Sequence, residues 1–142
     1  MRHEAPSKRL PPQDAGETDV VDLTDRSVSF VREAGVREGL LTLFLPGATG
    51  AITTIEFEPG CVRDLQAALE RVAPREGHYD HNERWGDGNG FSHVRAALLG
   101  PSLTVPIAES RPLLGTWQRI VLVDLDNRPR ERQVVVTATG VE

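Results

Sequence analysis

Apolar and polar positions along the chain follow two kinds of pattern. Apolar residues spaced three and four apart predict helices over residues 25–34 and 61–72. A shorter helix is predicted over residues 93–99, ending at Gly100. Strands are predicted over residues 20–23, 40–45, 51–57, 103–106, 117–125 and 132–139. The sum is an α+β fold with two main helices and an extensive sheet.

Local signals refine these elements. Residues 40–45 and 120–125 are apolar at nearly every position, which is typical of strands covered on both faces. Because the chain has few helices, we expect part of that cover to come from another subunit. Thr24 is predicted to cap the first helix with its hydroxyl group. Asp126 and Asn127 separate the last two strands and predict a hairpin.

Length and composition favour one domain behind a short lead. The chain has 142 residues, which suits a single hydrophobic core. Residues 1–16 contain three prolines and are mostly polar, so we predict a flexible lead there and a single domain over residues 17–142.

The net charge and the single cysteine limit which partners and which cellular location are expected. The formal net charge of -5 argues against nonspecific binding of nucleic acid, which requires a basic surface. Cys61 is the single cysteine, so no disulfide forms within the chain and a cytoplasmic location is expected. No apolar run approaches the ~20 residues that span a bilayer, so no membrane role is expected.

Candidate chemistry is concentrated in residues 79–118, which begin within a long polar loop predicted over residues 75–90. His81 and His93 bracket a segment rich in glycine, aspartate and asparagine. Paired imidazoles can bind a metal ion or transfer protons near neutral pH. They can also be ordinary loop residues that hydrogen-bond the backbone. A catalytic zinc ion usually takes three protein ligands, and the third here would be Asp87, Asp80, His78 or a partner's residue.

Other residues extend the candidate site. The backbone N–H groups of Gly86–Gly90 can cradle a phosphate group, although such a segment is also an ordinary turn. Arg95 can bind phosphate in a bidentate manner. Glu56, at the end of a predicted strand, can act as a general base or pair with an arginine. Gln118 is a polar candidate beside Trp117, and Trp85 can stack on a heteroaromatic ring or cover the loop.

Seven segments of the chain together resemble one protein family. They are Asp22–Thr24, Gly39–Glu56, Tyr79–Asn82, Gly86–Gly90, Leu99–Pro106, Leu114–Gln118 and Arg128–Arg130. In this order they resemble the YjbQ-type proteins, known as secondary thiamine-phosphate synthases. The resemblance covers residues 22–140, nearly all of the predicted domain.

The resemblance implies a mixed-sheet, barrel-like α+β domain that assembles as a homotrimer. It also implies an activity that joins a pyrimidine pyrophosphate to a thiazole phosphate and releases pyrophosphate. Glu56, His81 and His93 would be the catalytic residues, and the two histidines would hold a divalent cation such as zinc or magnesium. The substrate, a small phosphate ester, would contact Asn82, Asp87, Gly88, Asn89, Arg95 and Gln118.

Two positions depart from the family pattern. Gly47 and Phe91 stand where the family often has histidine. If Phe91 filled the metal pocket, the fold would gain apolar burial and lose chemistry. The alternative functions are therefore a catalytically silent trimeric scaffold that binds a ligand or protein, and a metal-assisted hydrolase of a small phosphate ester.

Overall fold

The computed structural model of the protein describes residues 2–4, 7–10, 18–128 and 130–142. Within these ranges the chain forms nine strands and four helices. The strands are β1 (Arg2–Glu4), β2 (Ser7–Leu10), β3 (Asp19–Asp22), β4 (Glu38–Phe44), β5 (Gly50–Glu56), β6 (Ser102–Ala108), β7 (Arg111–Pro112), β8 (Gln118–Asp124) and β9 (Arg132–Val141). The helices are α1 (Thr24–Ala34), α2 (Pro59–Val72), α3 (Asp80–Trp85) and α4 (Gly90–Leu99).

The strands form two sheets. The larger sheet has the order β1-β9-β4-β6-β7, with β2 also paired to β9, and the smaller has the order β3-β8-β5. The resemblance implied a mixed sheet, whereas every ladder between the described strands is antiparallel. With the helices, the sheets make the α+β domain that the sequence pattern predicts and the barrel-like form that the resemblance implies, with two short helices in addition to the two main ones.

The predicted hairpin between the last two strands is wrong. Strand β8 lies in the smaller sheet and β9 in the larger one. Both edges of β8 are already paired, with β3 on one side and β5 on the other, so β9 cannot fold back beside it. The segment between them instead carries the chain from one sheet to the other, and this crossing forms one wall of the pocket described below.

Two apolar clusters fill the interior, and β8 contributes to both. Its Ile120 and Leu122 pack between the two sheets and against α1. Its Val121 and Val123 face the other way, into a cluster that includes residues of α2 and α4. All four side chains are buried. The prediction that residues 120–125 are covered on both faces is therefore confirmed.

Strand β4 is covered on one face only within a single chain. Leu41 and Leu43 are buried between the sheets. Leu40 and Phe44 point to the other side and are 50% and 43% exposed. The strand's apolar run, predicted to be covered on both faces, therefore leaves an apolar outer surface on an antiparallel sheet, a sheet type that tolerates one solvated face.

The start of α1 differs from the prediction that Thr24 is its cap. Leu23 is the N-cap residue and makes no side-chain capping bond, and Thr24 is the first helical residue. Its backbone N–H instead donates to Asp22 Oδ1 at 2.9 Å. The buried Thr24 hydroxyl oxygen accepts from the backbone N–H of Ile120 at 2.8 Å and so ties α1 to β8. Thr24 has the residue type of a helix cap, but its hydroxyl group instead connects α1 to β8.

The segment over residues 75–90, predicted as a loop, contains helix α3 and the start of α4. Helix α3 has six residues and buries none of them, so its sequence carries no apolar period to detect. Helix α4 begins three residues earlier than predicted, at Gly90. Gly90 lies so close to Tyr79 that a Cβ atom there would be 2.5 Å from the tyrosine Cβ. Only glycine allows this approach.

Part of the predicted flexible lead is described. Residues 2–4 and 7–10 pair with β9 as β1 and β2. Residues 1, 5–6 and 11–16 lie outside the described residues, so flexibility of the lead stays a prediction. None of the described helices combines the length and the apolar character that crossing a membrane requires.

Thr24→Val tests the attachment of α1 to β8. The valine cannot accept a hydrogen bond, so the buried N–H of Ile120 loses its partner, and we expect the free energy of unfolding to fall by about 1–3 kcal/mol. Urea denaturation measures the change. Thr54→Val is the matched control, because Thr54 lies opposite Ile120 on β5 and its hydroxyl makes only an exposed bond with Gln118. Equal losses in the two variants would contradict this account.

Candidate functional site

A pocket of about 440 Å³ opens where the β4–β5 turn, α3, the start of α4 and the β8–β9 crossing meet. Its walls combine imidazole, guanidinium, carboxylate and amide groups with a small turn. The lining residues are Gly47, Ala48, Thr49, His81, Trp85, Asp87, Asn89, His93, Arg130 and Arg132. The volume lies in the range of small-ligand sites.

His81 and His93 converge in this pocket, as the sequence predicts. His81 lies on α3 and His93 on α4, and the left-handed Gly86 ends α3 so that the chain can turn back. The two ring centres are 4.4 Å apart and the ring planes are inclined by 40°. Two imidazoles at this distance can act on one substrate group.

His81 has an unsatisfied nitrogen. Its Nδ1 is buried and makes no hydrogen bond within the described part of the chain. Asp87 Oδ1 lies 3.3 Å away, but the direction does not suit a hydrogen bond. A buried polar atom without a partner is rare, and such atoms often mark places that a ligand or a change of geometry completes. The His81 Nδ1 atom is therefore a position where a ligand can complete the hydrogen bonding.

His93 is biased toward its neutral form. Burial lowers the pKa of His93, and the neighbouring His81 imidazole lowers the pKa further because two positive charges would repel. The carboxylates of Asp87 and Asp126 act in the opposite direction without reversing the shift. A neutral imidazole at physiological pH can accept a proton, so His93 has the protonation state of a general base.

Asn89 lies between two carboxylates. With its amide nitrogen turned toward Asp87, it donates to both carboxylate oxygens, at 3.0 and 3.1 Å. In the opposite orientation it donates to Asp126 Oδ1 at 3.4 Å. The first orientation is favoured because it gives two shorter bonds to an ionised group. Asn89 therefore holds Asp87 beside His81.

The wall opposite the histidines rests on a buried ion pair. Arg132 donates to both carboxylate oxygens of Asp124, from Nε at 3.1 Å and from Nη2 at 2.8 Å. The same Nη2 lies 2.8 Å from Thr49 Oγ1 and 3.1 Å from Thr49 O. Both charged side chains are more than nine-tenths buried. The pair fixes the β4–β5 turn against the β8–β9 crossing.

A second arginine is held by the neighbouring carboxylate. Arg130 Nε donates to Asp126 Oδ2 at 2.6 Å, and Thr49 Oγ1 lies 3.0 Å from the same oxygen. Burial raises the pKa of Asp126, but hydrogen bonds from the Asn127 N–H, Arg130 and Thr49 outweigh it and keep the pKa below its usual value. Asp126 therefore stays ionised and keeps Arg130 in place.

The structure brings some of the predicted site residues together. His81, His93, Asp87 and Asn89 line the pocket. Asn82 and Gly88 support it from behind. Asn82 Oδ1 accepts from the Gly90 N–H at 2.8 Å, and Gly88 holds the left-handed backbone beside Asn127.

Three other predicted residues lie elsewhere. Arg95 is buried and donates to Ala73 O, Thr18 Oγ1 and Glu70 Oε2, so it fixes the end of α2. Glu56 is the last residue of β5, whereas the pocket lies beside Gly50 at the start of the strand. Six residue steps of roughly 3.3 Å separate the two ends by about 20 Å. Gln118 pairs with Glu56 at that remote end. A strand can bring only one of its ends to a pocket, and periodicity does not say which.

Sequence reasoning missed Thr49, Arg130 and Arg132 as lining residues, and Asp124 and Asp126 as their supports. The Arg128–Arg130 segment belongs to the resemblance, which assigns it no role. The available signal is the pair Asp124 and Asp126 followed by the pair Arg130 and Arg132 across a short crossing. The hairpin prediction conceals this signal, because it treats the segment as a simple turn.

Comparison with known proteins shows to which family the chain belongs. The model of the "UPF0047 protein YjbQ-like" family matches residues 8–141. The chain belongs to the YjbQ/UPF0047 family. It is similar to a UPF0047 protein of Methanothermobacter thermautotrophicus, with 35% identity over 134 residues, 94% of this chain and 92% of that protein. A UPF0047 protein of Mycobacterium bovis is 41% identical over 115 residues, 81% of this chain and 87% of that protein.

Solved structures of YjbQ-like proteins share the fold. A protein of unknown function from Sulfolobus solfataricus matches with a TM-score of 0.87 at 28% identity, covering 97% of this chain and 99% of that chain. A YjbQ/UPF0047 protein from Clostridium acetobutylicum matches with a TM-score of 0.84 at 33% identity, covering 94% and 98%. These relatives establish the YjbQ fold and leave the reaction open.

The two departures from the YjbQ pattern have different consequences. Gly47 lines the pocket, so the histidine that the resemblance implies at this position would have been part of the site itself. Phe91 is buried outside the lining residues, and the guanidinium carbons of Arg75 and Arg95 lie 5.7 and 4.9 Å from its ring centre. Phe91 therefore does not fill this pocket, and its ring packs on the buried side of α4.

The YjbQ pocket offers an incomplete donor set for a cation. His81, His93 and Asp87 are ligand types that zinc accepts. Among the described residues, however, the one group of three whose ligand atoms all lie within 4.8 Å is His78, Asp80 and Glu83, which is exposed and outside the pocket. A cation bound by the two imidazoles would need further ligands from substrate or from movement of Asp87.

The protonation of His93 provides a test by NMR. We expect its imidazole to titrate below the usual 6.5. The His81→Gln variant should raise the midpoint, because it removes the repulsion. His93→Gln identifies the signal. The unfolded state binds a proton at His93 more readily than the folded state does. The contribution of neutral His93 to the free energy of unfolding is therefore complete above about pH 6.5 and is lost as the pH falls through the folded-state pKa. A His93 midpoint at or above 6.5 would refute the assignment.

Proposed function

We propose that the pocket is the active site of an enzyme that acts on a small phosphate ester. The observation that carries this proposal is the pair of imidazoles 4.4 Å apart in a pocket, one of them with an unsatisfied buried nitrogen. His93, held neutral, can accept a proton or a hydrogen bond, and His81 beside it can donate a hydrogen bond to the same substrate group. Unlike environments for two neighbouring titratable groups favour such a division of roles.

The specific reaction that we propose is the family's thiamine-phosphate synthesis. A thiazole ring nitrogen bonds to the methylene carbon of the pyrimidine substrate. The bond from that carbon to pyrophosphate breaks, and its electron pair leaves with the pyrophosphate. His81 stabilises the leaving group by donating a hydrogen bond or a proton. Trp85 supports a heteroaromatic substrate, because its ring lines the pocket, is 64% exposed and can stack on another ring.

Hydrolysis of a small phosphate ester is the second candidate. It is favoured by the lowered pKa of His93, since a neutral imidazole can take a proton from an attacking water molecule. A divalent cation held by His81 and His93 would neutralise charge on a leaving phosphate in either reaction. Glu56 and Gln118, at the far end of β5 and β8, have no part in this proposal.

We also propose that the protein assembles as a homotrimer. Support comes from the outer face of the larger sheet, where β4 exposes Leu40 and Phe44 beside partly buried Thr42. The central position of β4 makes this a broad surface rather than an edge. An apolar face of this kind is typical of subunit contacts.

The histidine variants test the enzymatic proposal. We expect His81→Ala and His93→Ala each to abolish formation of thiamine phosphate or hydrolysis of the ester. His81 donates to the leaving group in both reactions, and His93 contacts the same substrate group, taking the proton of the attacking water in hydrolysis. The free energy of unfolding should change little. Product is followed by chromatography, with both candidate reactions assayed on the same protein.

His78→Ala is the control, since His78 is exposed and outside the pocket lining. It should keep wild-type turnover. Normal turnover in either pocket variant would remove this site from consideration. A wild-type protein inactive in both assays would leave the silent scaffold as the better description.

Light scattering coupled to gel filtration tests the assembly. The wild type should have the mass of three chains at micromolar concentration. Phe44→Asp should shift it toward the monomer, because the charge would be buried in the contact. Val94→Asp is the control, with a similarly exposed apolar residue on α4, 41% against 43%. A wild-type monomer, or equal dissociation in both variants, would contradict the proposed contact surface.

A further inference from the structure

The guanidinium groups of Arg130 and Arg132 leave donors unused at one wall of the pocket. Arg132 donates from Nε and Nη2, but its Nη1 makes no hydrogen bond to any described residue. Arg130 donates from Nε alone, and neither of its Nη atoms bonds a described residue. Both residues line the pocket. None of these Nη atoms is fully buried, so each is accessible from solvent and can donate to a ligand that enters the pocket.

We propose that Arg130 and Arg132 form the phosphate-binding subsite of the pocket. The inference rests on the proposed function and identifies which part of the substrate this wall receives. Arginine presents its N–H groups in a planar fork that suits the oxygen atoms of a phosphate. Two forks on one wall match a phosphate ester or a pyrophosphate group better than they match a single carboxylate.

The subsite is built before any ligand arrives. The buried Asp124 fixes Arg132 through two bonds, and the buried Asp126 fixes Arg130 through one. Thr49 contacts both assemblies through its hydroxyl group. A guanidinium that is already held loses little side-chain entropy when it binds an anion, and such preorganisation favours affinity.

Gly47 keeps the subsite open. Its backbone φ is +134°, a conformation that residues with side chains rarely adopt. A Cβ atom at this position would lie 3.5 Å from Arg132 Nη1, the donor that is unused. A larger side chain there would extend toward the space that a phosphate oxygen would occupy. Its absence gives this chain access to Arg132 from the pocket.

Charge divides the pocket into two ends. Asp87 is the one carboxylate among the lining residues, and it lies against His81 and Asn89. The arginines form the other wall, where each is paired with a buried aspartate. An anionic group is repelled by Asp87 and can accept from the free N–H groups of the arginines, which places the reacting part of the substrate near the imidazoles. Arg95, the phosphate ligand suggested by sequence, has its donors satisfied inside the protein.

Binding of inorganic pyrophosphate tests the subsite. We measure it by isothermal titration calorimetry at about pH 8, above the usual histidine pKa of about 6.5, with chelator present to exclude metal effects. The wild type should bind with saturation. Arg130→Gln should weaken the affinity by roughly tenfold or more, because it removes a charged donor. Arg130 carries the test because buried Asp126 keeps its bonds from the Asn127 N–H and the Thr49 hydroxyl when Arg130 is lost, whereas loss of Arg132 would leave buried Asp124 without its charged partner. Urea denaturation of Arg130→Gln checks that the variant is folded.

Arg119→Gln is the matched control. Arg119 is 35% exposed against 34% for Arg130, and its Nε also donates to an aspartate, Asp22, at 2.9 Å. It lies toward the other end of β8, outside the pocket lining. Its variant should bind pyrophosphate like the wild type. Equal weakening in both variants would indicate a general charge effect and overturn the subsite, as would absence of saturable binding by the wild type.

A His93→Ala variant separates this inference from the proposed function. It should still bind pyrophosphate while losing turnover. Pyrophosphate binding that depends on Arg130, in a protein without activity, would support the subsite and refute the enzyme. Turnover that depends on His93, in a protein whose pyrophosphate affinity is unchanged by Arg130→Gln, would support the enzyme and refute the subsite.

Discussion

The buried ion pair between Arg132 and Asp124 joins the two sheets at the end where the pocket lies. Asp124 is the last residue of β8, and Arg132 is the first residue of β9 in the other sheet. Breaking a buried pair by removing one partner typically costs about 3–5 kcal/mol, since the remaining charge stays buried without compensation. The crossing between the sheets, the β4–β5 turn and the arginine wall all depend on this contact.

The pocket divides its chemistry by environment. On one side two helices bring imidazoles close enough for burial and mutual repulsion to keep His93 neutral. On the other side hydrogen bonds keep Asp126 ionised in spite of its burial, and the carboxylate holds a guanidinium. One wall therefore holds a neutral imidazole, while the other holds guanidinium groups fixed by buried carboxylates, and the proposed phosphorylated substrate would use both.

The fold was largely predictable because its main elements carry regular apolar periods. The helix over 61–72 and the strand over 51–57 were close to their observed bounds for this reason. Helix α3 has no buried residue and gave no such signal. The connection of strands was the weaker part. A short turn between β8 and β9 looks like a hairpin in sequence, and only the occupied edges of β8 exclude it.

The site was predictable where residues are close in sequence and hidden where they are not. His81, Asp87, Asn89 and His93 lie within one segment, and composition alone marked it. Arg130 and Arg132 reach the same pocket from a distant part of the chain, by way of ion pairs that no spacing rule describes. Arg95 was misplaced because nothing in its sequence neighbourhood shows that the side chain is buried toward α2.

The close contact between Gly90 and Tyr79 has a consequence for how this protein can diverge. The imidazoles stand on separate helices, and the distance between those helices is limited by a glycine pressed against a tyrosine. A side chain at position 90 would push α4 away from Tyr79 unless a smaller residue also replaced the tyrosine. Related sequences should therefore change positions 79 and 90 together or keep both. Where only one of them changes, α3 and α4 separate, and the two histidines are no longer kept for a shared function.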